Sequence, residues 1–289
     1  MKRIRIAAAA FLAALAVTPL HAGVITLGYA ESSVNEVPAE LIKNVLERMG
    51  INVSLRKSSE SQIFSMLREG EIDFLVGAWL PNAHAQYWEA ERMVKLVTLY
   101  DDAKFVWAVP AYVPASELSS LADLRKPAVA EKMVKRVRTA GASIGLNEGS
   151  KKVFDEYALG ELGYRLTSDA AAHWRAGIKE DFAARRWFVA PLPLPHYLNR
   201  DFRPLDEPKQ LLGGSNKAYL LASKATLPNI DKAIIALLKR ISVSTQAVAE
   251  MDFKVQVEGR TPHEAARRWM GEHPNTIEYW YTPEDDTEK

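Results

Sequence analysis

Apolar positions along the chain switch between a period of two and a period of three to four, and the switches mark out the elements. VITLGYA (24–30) predicts a short strand leading into VPAELIKNVLERMG (37–50), where Val37, Leu41, Ile42, Val45, Leu46 and Met49 recur at helical spacing and Gly50 stops the run. INVSLRK then predicts a strand, SSESQIFSMLREG a helix with Ser and Glu at its start, and EIDFLVGAWL another strand. Short connections between such alternating elements predict a mainly parallel sheet covered by helices.

A second unit follows. FVWAVPAYV (105–113) predicts a strand that crosses into new territory, SELSSLADL caps a short helix, and ASIGLNEGS (142–150) predicts a strand followed by a turn. KKVFDEYALGELG and HWRAGIKEDFAARR predict helices, and WFVAPLPLPHYL a strand ending in a proline-rich loop. NKAYLLASK (216–224) predicts a strand returning to the first unit, and the remainder predicts helices. The expected fold class is therefore α/β with two lobes, 23–107 plus 214–289 and 108–213, each a mainly parallel sheet flanked by helices. The hinge is expected at Trp107–Tyr112 and Gly213–Asn216, where Gly213 and Gly214 supply backbone freedom.

Composition supports a large folded chain: 289 residues, 48% hydrophobic and 25% charged, enough to bury a core in each of two lobes. Residues 1–22 stand apart. Lys2, Arg3 and Arg5 precede an apolar stretch from Ile6 to Val17, then Pro19 and the small Ala22, which is the pattern of a cleaved secretory signal peptide. The stretch is shorter than the roughly 20 apolar residues of a membrane span. Taking those three basic residues from a formal charge of +1 leaves −2, and no basic block marks a nucleic-acid surface. Cysteine is absent, so the exported chain relies on its core rather than on disulfides, which fits a protein diffusing in a bacterial periplasm.

Open α/β sheets take ligands at the carboxyl ends of their strands, and the candidate residues gather there: Glu31, Trp79, His84, Asn147, Glu148 and His196. In GAWLPNAHAQYWE (77–89), Trp79 is expected to face the cleft, Pro81 to fix the loop and His84 to lock it, with Tyr87 and Trp88 packed on the lobe surface. No HExxH, Walker loop or cysteine nucleophile is present, which disfavours an enzyme. No metal ligand set or cofactor motif is read.

The order of GYAE, VLERMG, REGEIDFLVGAW before proline, DAKFVWAVPAYV, SSLADL, IGLNEGS, PLPLPH, FRPLDEPK and RRWMGEHP resembles the substrate-binding proteins of the glycine betaine, choline and proline betaine class of ABC importers. The resemblance covers most of the chain after residue 22. It implies a two-lobed periplasmic binding protein of type II-like architecture, without cofactor or catalysis. It also implies a monomer that carries a small amine or betaine to a membrane permease and its ATPase. Such proteins hold a quaternary ammonium in a box of aromatic rings, whose negative faces attract a cation that has no N–H to donate. Trp79 and Phe105 fall where the family places walls, and His196 matches the histidine of its Trp-x-Pro-His segment. Two rings are replaced: Pro193 stands three residues before His196, and Ser32 or a neighbour stands ahead of the first helix. Tyr29, Trp107 and Tyr197 are candidate substitutes, and Glu31 or Glu148 would pair with an amine that keeps N–H groups. Trp79 and Phe105, with Glu31, Asn147 and His196 as polar partners, form the working site. The alternative reading is an amino-acid or amine receptor of the same fold feeding a transporter or sensor; an exported α/β enzyme is the lesser one.

Overall fold

The computed structural model describes residues 23–141 and 144–282, so the expected leader lies outside the described residues. In chain order the elements are β1 (Ile25–Ala30), α1 (Ser33–Arg48), β2 (Val53–Ser58), α2 (Glu60–Glu69), β3 (Phe74–Leu80), β4 (Met93–Pro110), α3 (Pro127–Ala130), β5 (Arg136–Ala140), α4 (Ile144–Glu156), β6 (Arg165–Asp169), α5 (Ala171–Ala183), β7 (Ala190–Leu194), β8 (Phe202–Pro204), β9 (Asn216–Ser223), α6 (Lys232–Leu238), α7 (Thr245–Gln256), α8 (Pro262–Glu272) and α9 (Pro274–Tyr281).

The main sheet has the order β2-β1-β3-β9-β4-β7, with β8 also on β4, while β5 and β6 form a separate parallel pair. This is the expected α/β architecture in two lobes, but the main sheet is mixed. Parallel pairing holds for β1 with β2 and β3. Strand β9 returns from the far lobe and enters between β3 and β4 antiparallel to both. Strand β4 serves both lobes: it pairs with β9 up to Ala103, with β7 from Lys104 and with β8 from Ala108.

The second lobe departs from the sequence reading at one segment. Residues 144–150, expected as a strand, begin the helix α4. Leu146, Gly149, Ser150 and Val153 are its buried positions, a helical period that a short apolar run conceals. The strand of that unit is RVRTA, whose charged exposed positions mask it.

In the first lobe α1 buries Val34, Val37, Leu41, Ile42 and Val45 and packs on α7, α8 and β1. Each such side chain contributes roughly 1.5–3 kcal/mol by burial. The helix starts four residues before the expected Val37, although Pro38 removes one internal hydrogen bond. Burial of Val34 favours the extension, which carries Ser32 and Ser33 to the helix mouth.

Strand β3 is buried along its whole length and lies between β1 and β9. Its register with β9 shifts between Val76 and Ala78, so Gly77 is an extra residue in the ladder, with φ of 82°. Phe74 and Val76 pack on the α1 side of the sheet, while Leu75 packs on the α2 side with Ile63, Phe64 and Leu67. Strict alternation would send Trp79 to the α2 side. The bulge resets the count, so Ala78 and Leu80 face α2 and Trp79 joins Phe74 and Val76. Gly77 is required by contact as well as by φ: a Cβ there would stand 2.4 Å from Asn35 Oδ1.

Candidate functional site

A cavity of about 150 Å³ lies where the strand ends of the two lobes meet. The first lobe contributes residues 30–35 after β1, Glu60, Trp79, His84 and Gln256. Strand β4, which runs through both lobes, contributes Phe105, and the second lobe contributes Trp174 and Arg175 from α5 and Pro191, Pro193, His196 and Tyr197 from β7 and its loop. Ser33, Glu60 and Ala171, the first residues of α1, α2 and α5, are all in the lining, so the positive ends of these helices converge on the cavity. Ser32 and Ala170 cap α1 and α5 without a side-chain hydrogen bond, which leaves backbone donors for a ligand's anionic end.

The apolar wall is built by Trp79 and Phe105, which lie on different strands and pack with ring centroids 5.3 Å apart and planes tilted by 39°. Trp79 is held twice: its indole N–H donates to Tyr100 Oη at 3.1 Å, and its backbone N–H donates to His84 Nδ1 at 2.8 Å. His84 N–H donates back to the Trp79 carbonyl at 2.9 Å, so the histidine does lock the loop after β3. An accepting Nδ1 leaves the ring proton on Nε2. Tyr87 and Trp88 pack beside the α2 cluster, outside the cavity lining.

Phe105 pairs with Pro193 across the β4–β7 ladder, so a proline ring stands beside it where the expected indole is missing. His196 is 7% exposed, its Nδ1 accepts from Leu198 N–H at 3.3 Å, and its ring meets Trp174 edge-on at 5.7 Å. Burial lowers its pKa to about 3, so the ring is a neutral donor at ordinary pH. Tyr197 follows, and its backbone N–H donates to Asp252 Oδ2 of α7 at 2.9 Å, a hydrogen bond between the lobes.

Of the sequence-predicted residues, Glu31, Ser32, Trp79, Phe105 and His196 come together around this cavity. Tyr29, Asn147 and Glu148 are not in its lining. Tyr29 sits on the opposite face of β1 from Ala30 and donates to Glu36 Oε1 at 3.1 Å; burial and then the Glu36 carboxylate push its pKa upward. Asn147 Nδ2 donates to the Gly141 carbonyl at 3.3 Å, closing the β5–α4 connection, and Glu148 is exposed on α4. Both were expected at a strand end and instead ride a helix. Among the candidate substitute rings, Tyr197 lines the cavity, whereas Trp107 is fully buried and donates to Ser150 Oγ at 3.0 Å.

The sequence reading missed Glu60, Trp174 and Arg175. Glu60 reads as an ordinary acid in a helix first turn, and Trp174 and Arg175 follow β6, a polar strand without an apolar signature. It also passed over Gly141–Gly145, GASIG, which has the G-x-S-x-G spacing of a hydrolase nucleophile turn; Ser143 lies outside the described residues.

Among the described residues no group of acids and histidines is placed to hold a metal ion, and no helix is long and apolar enough to cross a membrane.

Residues 23–272 match the family model described as the substrate binding domain of ABC-type glycine betaine transport systems. A curated relative, the glycine betaine/carnitine transport binding protein of Listeria monocytogenes, is 22% identical over 143 residues, 49% of this chain and 46% of that protein. The match thus spans about half the length of that relative. Among solved structures, lactococcal OpuAC in its closed form with glycine betaine superposes with a TM-score of 0.76 at 21% identity, covering 90% of this chain and 99% of that one. The glycine betaine/L-proline-binding protein of Borrelia burgdorferi gives 0.76 at 23% identity, covering 91% and 97%. A choline binding protein in complex with choline gives 0.70 at 17% identity, covering 88% and 91%. These likenesses establish a shared fold.

Proposed function

Because the chain belongs to the family of substrate-binding domains of ABC-type glycine betaine transport systems, we propose that it captures a small cationic or zwitterionic amine outside the cytoplasm and delivers it to a membrane permease driven by an ATPase. The observation that carries this reading is the pairing of Trp79 and Phe105, from different strands, as the wall of a cavity shared by the two lobes. Each well-placed ring face attracts a desolvated cation by roughly 0.5–2 kcal/mol. The uncapped starts of α1 and α5 and the Arg175 guanidinium lie round the same cavity, suited to a carboxylate at the other end of a zwitterion.

Delivery follows from closure. The two lobes meet where β4 passes Asp102–Lys104 and β9 begins at Gly213–Asn216, and these segments are tied by Ser215 Oγ donating to Asp102 Oδ1 at 3.0 Å and Asn216 Nδ2 donating to the Ala103 carbonyl at 3.3 Å. We place the hinge there. Trp107–Tyr112, expected as one crossing, begins on the part of β4 that pairs with β7 and β8. A ligand touching both lobes favours the closed form by as much as it binds that form better, and closure presents the permease with a single joined surface. The receptor works as a monomer, without cofactor or turnover.

Thermal unfolding tests the reading. A panel of glycine betaine, choline, carnitine, proline betaine, amino acids and simple amines is expected to contain compounds that raise the melting temperature, since a ligand at 100 times its Kd stabilises the native state by about 2.7 kcal/mol. Trp79→Ala is expected to abolish those shifts. No shift with any compound, or hydrolysis of one of them, would refute the proposal.

A further inference from the structure

The cavity contains one charged group that the aromatic wall does not use and whose role in the fold is confined to the first turn of a helix. Glu60 opens α2, is 9% exposed and lines the cavity, yet its Oε2 is buried without a hydrogen-bond partner. Its Oε1 lies 3.9 Å from His84 Nε2, too far for a hydrogen bond. The other acids are placed differently. Glu31 is largely exposed with Lys57 Nζ 3.9 Å away, and Glu148 is outside the lining. Arg175, the cation in the lining, belongs to the opposite lobe and is exposed. A buried carboxylate with an empty lone pair is costly unless a partner arrives.

We propose that Glu60 is the counter-ion of the ligand and that it selects an ammonium bearing at least one N–H over a fully methylated one. The proposal rests on the reading of the cavity as an amine site. A fully methylated ammonium offers Oε2 only methyl groups, whereas an N–H closes the empty position with a charge-assisted hydrogen bond. The rings point the same way: Pro191 and Pro193 form the wall beside Phe105, so apolar prolines, which have no π face, flank part of the cation's surface. Glu60 in this role takes the place that the sequence offered to Glu31 or Glu148.

Titration calorimetry with glycine, sarcosine, N,N-dimethylglycine and glycine betaine exchanges N–H for methyl one step at a time, and choline adds a methylated cation with a hydroxyl. At least one N–H member is expected to bind about tenfold or more tightly than glycine betaine. Glu60→Gln is expected to weaken that member by about tenfold or more and glycine betaine much less, collapsing the preference. Glycine betaine or choline binding best, with Glu60→Gln changing all affinities alike or not at all, overturns the role of Glu60 and leaves the amine site standing. Failure of every compound to bind refutes the amine site itself, and this proposal with it. If Glu60→Gln does not fold, the ranking of the series on the unsubstituted protein decides.

Discussion

At the scale of the residue, Gly77 shows how a position that touches no ligand sets the geometry of one that does. It holds φ at 82° and leaves no room for a Cβ against Asn35 Oδ1. Gly77→Ala is expected to cost roughly 1–3 kcal/mol, lowering the melting temperature by roughly 3–10 °C for a chain of this size. The same substitution is expected to weaken ligand binding by disturbing Trp79. A calorimetric melt and a ligand titration read both effects, and an unchanged melt would show that the backbone can relax there. Trp79 and His196 were legible in the sequence because each lies within a few residues of a strand end that hydrophobic spacing reveals, whereas Phe105, inside β4, was legible only through the family resemblance of the segment that carries it. Glu60 was not, because an acid at the first turn of a helix has an ordinary explanation in the helix dipole and gives no sign that its side chain is buried.

At the scale of the element, α7 carries an acid whose titration reports on how the lobes are joined. Asp252 is fully buried, accepts from Tyr197 N–H and leaves Oδ1 without a hydrogen bond. Burial raises its pKa to about 6, the Glu36 carboxylate adds to the rise, and the Tyr197 N–H and the nearby Ser33 and Gln256 side chains oppose it. A folded-state value above the unfolded value of about 4 means that the native chain holds this proton where the unfolded chain has lost it. The contribution is complete below about pH 4 and is lost as pH rises to about 6, a change of roughly 3 kcal/mol. Asp252→Asn is therefore expected to flatten the pH dependence of stability between about pH 4 and 6 relative to the unsubstituted protein. Parallel melts across that range check it, and superimposable profiles would contradict it. The elements themselves were unevenly legible. Strand β3 stands out as a continuous apolar run, and β1, β2, α1 and α2 by apolar positions recurring at strand or helix spacing. Strands β5 and β6 do not, since half-exposed strands carrying Arg136, Arg138 and Arg165 resemble loops, and α4 was misread because its buried face includes Gly149 and Ser150.

At the scale of the molecule, the Tyr197–Asp252 hydrogen bond joins the lobes beside the Trp79–Phe105 wall, an arrangement in which the cavity is walled on both sides. Small-angle scattering is expected to show a smaller radius of gyration when ligand is added, as lobes that separate in free solution are drawn together. An identical radius with and without a bound ligand would place recognition in a preformed pocket. The two-lobed outline was legible from the order of strands and helices. The mixed direction of the sheet was not, because sequence spacing marks a strand without giving its orientation, and β9 acquires its direction from where the chain re-enters the first lobe.

The bulge at Gly77 makes the pocket a matter of counting. Which residues of β3 face the ligand depends on whether the number of positions before them is odd or even, and one supernumerary residue sets that parity. Drawing Gly77 into the ladder as a regular member, with no residue gained or lost, would turn Trp79 toward α2 and bring Leu80 to the cavity side, with every lining residue still present in the chain. Recognition here is thus exposed to a kind of change that composition cannot register, and a receptor could lose its ligand through a one-residue slip of register while keeping its full set of binding side chains.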